Sequence, residues 1–79
     1  MPCVVVGNEG AASLLAGRAL LGVSVVRQAD PFGPGDLLRV LDRQGTLLGI
    51  GEALLPSDQI TGMGGNLRIV RPVKVFGHN

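Results

Sequence analysis

Gly35-Asp36-Leu37-Leu38-Arg39-Val40-Leu41-Asp42-Arg43-Gln44-Gly45-Thr46-Leu47-Leu48-Gly49-Ile50-Gly51-Glu52 is the stretch that decides the fold class. Leu37 to Leu41 reads as one strand and Thr46 to Leu55 as a second. Asp42-Arg43-Gln44-Gly45 joins them, with Asp opening the loop and Gly closing it where a left-handed residue is needed, so the stretch predicts a hairpin. On the second strand, alternation sets Leu48, Ile50 and Leu54 on one face and Gly49, Gly51 and Ala53 on the other. So smooth a face implies a neighbouring strand at close approach, a sharp coil, or a partner.

Upstream lies a dense turn cluster, Asp30-Pro31-Phe32-Gly33-Pro34-Gly35-Asp36, incompatible with a helix or a central strand. Taken alone it could serve as an interdomain linker. The apolar residues before it are too few to form a core by themselves, however, so both halves must share one. Ahead of it, Cys3-Val4-Val5-Val6 reads as a buried strand. Asn8 to Ala16 then has the marks of a two-turn helix, with Asn8 placed to cap it, Glu9 in the first turn and Gly17 at its end. Ala11, Leu14 and Leu15 share the face that packs on the sheet. Ala19 to Val26 holds either one irregular strand or a strand and a loop.

Downstream, Pro56 to Ile60 reads as a single helical turn capped by Ser57, and Gly62-Met63-Gly64-Gly65 as a loop. The final strand, Leu67 to Phe76, sets Leu67, Ile69, Val73 and Val75 on one face. Arg71 falls on that apolar face too, unless Pro72 introduces a bulge. The fold class that results is mainly β (α+β): about five short strands with one short N-terminal helix, in a closed or nearly closed barrel. Closure would remove the open edges that so apolar a sheet could not safely expose.

The 79 residues amount to one domain, residues 1–79. With no Trp or Tyr and only Phe32 and Phe76, its core must be built from Leu, Val, Ile and Ala. The net charge of +1 is not that of a tail-type polyanion binder, so any such binding must come from local clustering. Cys3 has no partner for a disulfide, no run approaches the roughly 18 apolar residues of a membrane span, and no secretory signal is visible. A cytoplasmic protein with no membrane partner is the expectation.

Autonomous catalysis is not expected. Cys3 sits in an apolar run, as an inert core thiol does, and His78 is close to the end of the chain. No Cys/His cluster has metal spacing, and Gly62-x-Gly64-Gly65 lacks the Lys-Ser/Thr and the helix that follow a phosphate loop. No cofactor is implied.

The run from Gly35 to Glu52 resembles the PUA-type barrel, in which a Pro-Gly-Asp turn precedes a strand and a hairpin ends in a Gly-containing strand. Three further pieces are similar to the C-terminal domain of bacterial tRNA pseudouridine synthase B, the TruB family. They are Pro2-Cys3-Val4-Val5-Val6, the helix end Leu14-Leu15-Ala16-Gly17-Arg18, and Leu67-Arg68-Ile69-Val70-Arg71-Pro72-Val73-Lys74-Val75-Phe76. Ala16 departs from the Asn that the family often has there. The synthase's catalytic domain, with its nucleophilic Asp, is not in this chain, so the sequence reads as an excised domain or a stand-alone module.

The resemblance implies an RNA-binding accessory domain that helps position the acceptor-stem side of a tRNA while a catalytic domain isomerises a uridine in the T loop. Acceptor and T stems of tRNA, and that catalytic domain, are the partners implied. It points to Gly17 and Arg18, with Arg68, Arg71 and Lys74 of the last strand, as the RNA-binding residues. Gly17 would allow close backbone approach, and the arginines would fork onto phosphate oxygens. Each cation also has a plainer reading: Arg18 as a solvated loop residue, Arg68 and Lys74 as an outward strand face, Arg71 as half of a structural salt bridge. Arg27, Arg39 and Arg43 have no compelling role. Aromatic stacking is not a plausible main mode here. One rival is the same fold as an accessory domain of a metabolic enzyme, such as an amino-acid kinase. Another is a structural module that docks its Gly49/Gly51/Ala53 face on a parent domain. A basic patch uniting the four cations would favour RNA; dispersed or internally paired charges would favour the rivals.

Overall fold

The computed structural model describes residues 1–59 and 67–76; the Gly62–Gly65 loop, Ile60 and His78 lie outside the described residues. The elements are β1 (Cys3–Val6), α1 (Asn8–Leu15), β2 (Leu20–Leu21), a 3-10 turn (Gly22–Ser24), β3 (Val25–Ala29), β4 (Leu37–Leu41), β5 (Leu47–Ala53), a second 3-10 turn (Ser57–Gln59) and β6 (Arg68–Val75). Six strands form one mixed sheet in the order β2-β6-β5-β4-β1-β3, with β1 and β4 parallel and the other pairs antiparallel.

That order dictates curvature. The edge strands β2 and β3 are joined by the three residues Gly22–Ser24 alone. Laid flat, six strands would hold their edges about 24 Å apart, whereas the connection spans at most about 13–14 Å. The sheet must therefore curl until its edges approach, which makes a pseudo-barrel with the Gly22–Ser24 turn as its seam. Inside it Val4, Val6, Leu14, Leu20, Phe32, Leu38, Val40, Leu48, Ala53, Ile69 and Val70 form one buried cluster.

The β4–β5 hairpin forms as its sequence predicts. Gly45 is left-handed at φ +86°, and the Asp42 carboxylate accepts the Gln44 and Thr46 N–H groups, both at 2.9 Å. The smooth face proves to be a core face: Gly49, Gly51 and Ala53 are buried, while Ile50 is half-buried and Leu54 exposed; Leu48, expected on the opposite face, is buried as well, at a register shift against Val40/Leu41. Of the three meanings open to that face, close strand approach is the one observed. A Cβ on Gly49 would lie 2.5 Å from the Lys74 carbonyl oxygen, and one on Gly51 would collide with Val70. A docking role for these three residues is thereby overturned.

Other readings are corrected by packing. The residue at the helix N-cap is Gly7, not Asn8, which is the first helical residue, and no side chain caps the helix. Its end is as expected, since Gly17 (φ +79°) donates to the Leu14 carbonyl and Arg18 to that of Ser13, both at 2.9 Å. Leu14 is buried on the sheet with Ala11 beside it, and Gly10 abuts Val6 and Ser24. The Asp30–Asp36 cluster is no linker: Phe32 is in the core and exchanges two hydrogen bonds with Ser57, whose hydroxyl accepts the Phe32 N–H instead of capping a helix. In β6, a register shift opposite Ile50/Gly51 leaves Val73 out of the pairing with β5, and a second, opposite Leu20/Leu21, leaves Ile69 out of the pairing with β2; Leu67, Val73 and Arg71 are exposed. The consecutive buried pair Ile69 and Val70 replaces the expected alternation.

Candidate nucleic-acid interface

Arg18 and Arg68 are fifty residues apart in sequence and reach one place through the β2–β6 pairing. The Schellman turn that ends α1 delivers Arg18 just ahead of β2, and in the ladder Leu21 stands opposite Arg68. Together with Ser13, Ala19 and Leu21, the two arginines line a cleft of about 490 Å³. Both are exposed, and neither pairs with a carboxylate among the described residues. Gly17 sits exposed at the cleft's approach with open space where a Cβ would be, so its backbone can be approached closely. The floor carries no aromatic ring. The cleft can therefore take anionic oxygens by bidentate guanidinium contact, and its described lining offers no aromatic ring for a base to stack on.

The other two sequence candidates are not in this cleft. Arg71, about 10 Å farther along β6, is ion-paired with Glu52 on β5, directly opposite it in the ladder. Lys74 lies about 20 Å from Arg68 along the strand, its Nζ 5.6 Å from the centre of the Phe76 ring. The four cations thus divide into a pair that shares a cleft and two that each have a partner of their own.

Sequence reasoning gave Arg27 and Arg43 no role, yet they line a second groove, of about 270 Å³, with Val5 and Val26. β1 brings them together: Val5 pairs with Arg27 on one side and with Leu41, two residues before Arg43, on the other. No short-range sequence signal links a strand residue to a hairpin tip sixteen positions away. Among the described residues, no group of three or more His, Cys, Asp or Glu could hold a metal ion, and no helix is long and apolar enough to cross a membrane.

The model for the PUA domain matches residues 2–73. The chain belongs to the PUA domain family. Solved structures carry the same fold. An H/ACA RNP bound to a substrate RNA containing 2′-deoxyuridine is similar at a TM-score of 0.92 and 20% identity, over 99% of this chain and 24% of that one. An archaeal box H/ACA Nop10–Cbf5 complex is similar at 0.86 and 22%, over 98% and 24%. A PUA domain from Aeropyrum pernix, in a tartrate complex, is similar at 0.88 and 26%, over 98% and 44%. This PUA domain therefore spans less than half the length of each of these three structures. No curated protein sequence matches it.

Proposed function

We propose that this PUA domain binds RNA through the Arg18/Arg68 cleft, and that it does so as the accessory domain of a tRNA pseudouridine synthase of the TruB type. In that role it holds the acceptor-stem side of a tRNA while a catalytic domain outside this chain isomerises a uridine in the T loop. The observation that carries the reading is the pair of arginines without carboxylate partners lining one cleft beside the exposed, left-handed Gly17. Two guanidiniums on a floor without aromatic side chains suit the phosphates and 2′-hydroxyls by which an A-form stem is recognised. The synthase assignment draws on the resemblance of the helix end and last strand, and on likeness to an RNP whose substrate RNA contains 2′-deoxyuridine, a uridine derivative. Arg71 and Lys74 act in this reading as peripheral contacts, since each already has a partner.

The test is a titration of the 79-residue chain with a fluorescent RNA minihelix carrying acceptor and T stems, from low to near-physiological salt. Three or four phosphate contacts give a log-log salt slope on the order of −2 to −4, and Arg18→Glu/Arg68→Glu should bind at least tenfold more weakly. Wild-type and variant curves that coincide would refute the cleft as the RNA site. A DNA hairpin of the same sequence binding equally well would refute recognition of the 2′-hydroxyl.

A further inference from the structure

The chain leaves the Arg18/Arg68 cleft at Leu21, the end of β2. Beyond it, along the seam, a hollow is lined by Gly7, Asn8, Gly10, Val23, Ser24 and Arg43, and beyond that lies the Arg27/Arg43 groove. Val26 and Arg43 line both of these concavities, and the Gly22–Ser24 turn connects the hollow to Leu21 of the first cleft. The three follow one another along the segment from Arg18 to Arg27 that closes the barrel, and are taken together as one belt.

Charge is segregated onto this belt. Four of the seven Lys and Arg residues line it, and Glu9 is its one carboxylate; the other three cations share the remaining surface with five carboxylates. The belt is thus basic although the chain as a whole is nearly neutral. Those remaining cations have local partners: Arg71 on Glu52, Lys74 on Phe76, and Arg39 donating to the Met1 carbonyl at 3.3 Å. Arg43 instead lies over backbone, its Nη2 3.5 Å from where a Cβ on Gly7 would stand. Between the two arginine pairs the surface is apolar, with Val23 and Val26 well exposed at 68% and 53%.

We propose that Arg27 and Arg43 form a second phosphate-binding lobe, so that one RNA backbone runs from the Arg18/Arg68 cleft across the Gly22–Ser24 seam into the Arg27/Arg43 groove. This rests on the RNA-binding reading above and extends it to residues which that reading leaves idle. From Leu21 to Val26 the chain advances roughly 13 Å. That exceeds the Debye length of about 8 Å at physiological salt, so each lobe acts there through its own contacts and not through one merged field. Val23 and Val26 offer the apolar surface against which ribose carbons pack between the two phosphate grips.

The experiment uses the full chain and the same minihelix, with three variants: Arg27→Gln/Arg43→Gln, Arg18→Gln/Arg68→Gln, and Arg39→Gln as an off-belt control. All five side chains are exposed, and unchanged thermal melting confirms that the variants fold. The second lobe predicts that Arg27→Gln/Arg43→Gln flattens the salt slope by about 2 and weakens binding about tenfold at low salt, with Arg39→Gln matching wild type. If Arg27→Gln/Arg43→Gln binds like wild type while Arg18→Gln/Arg68→Gln is weakened, the second lobe is wrong and the first cleft stands. Equal weakening by Arg39→Gln would also overturn it, because the effect would then be bulk charge. No RNA binding by the wild type, with capture of poly-glutamate instead, would overturn both readings and make the belt a docking face for an acidic protein.

Discussion

On the β4–β5–β6 side of the barrel, Glu52 holds Arg71, Phe76 lies under Lys74, and Asp42 is committed to two amides of its own turn. The strands there approach so closely that Gly49 and Gly51 have no room for a Cβ. Along the β2–β3 seam the reverse holds. A two-residue strand and a single 3-10 turn close the barrel, and four arginines have no carboxylate partner among the described residues. The first region spends its polar groups on its own structure, and the second leaves them available. Unpartnered cations that recur along a concave strip raise the local positive potential there.

Packing on the first side gives the largest effects. Gly51→Val forces a branched side chain into Val70 and the β6 backbone, and should cost about 3 kcal/mol or more. That lowers the melting temperature by more than 10 °C in a domain this size; a variant melting within a few degrees of wild type would break the close-strand account. Leu14→Ala, at the fully buried contact of α1 with the sheet, should cost about 2–4 kcal/mol in urea unfolding. On the seam, Arg18→Gln/Arg68→Gln should leave the melting temperature unchanged while weakening minihelix binding about tenfold, or about 1.4 kcal/mol. Asp42→Ala should do the opposite, destabilising by about 1 kcal/mol through the two orphaned turn amides with RNA affinity unaltered. Glu52→Gln sharpens the contrast least: an exposed ion pair contributes under about 1 kcal/mol, and the freed Arg71 should leave RNA affinity within twofold.

What could be read in advance follows the range of the interactions involved. The hairpin at Asp42–Gly45 and the helix end at Gly17 were legible because an Asp side chain and a left-handed glycine act within a few residues. The mainly β pseudo-barrel was legible from turn density and strand spacing. β2 was not, since two residues carry no periodicity and are a strand only because β6 lies beside them. The facing of β6 was misread because its irregularities at Ile69 and Val73 arise in the pairing with β2 and β5. Resemblance supplied Arg18 and Arg68 as candidates, but their meeting depends on the Leu21–Arg68 register, and the grouping of Arg27 with Arg43 depends on β1 between them. Neither is encoded locally.

The most direct measurement of the central claim is a backbone amide NMR titration of the domain with the RNA minihelix. It should show the largest shift changes over Gly17–Arg27, Arg43 and Arg68, with Leu37–Leu41 and Arg71–Val75 nearly still. Shifts centred on Leu37, Arg39, Ile50 and Lys74, with the seam unmoved, would contradict it.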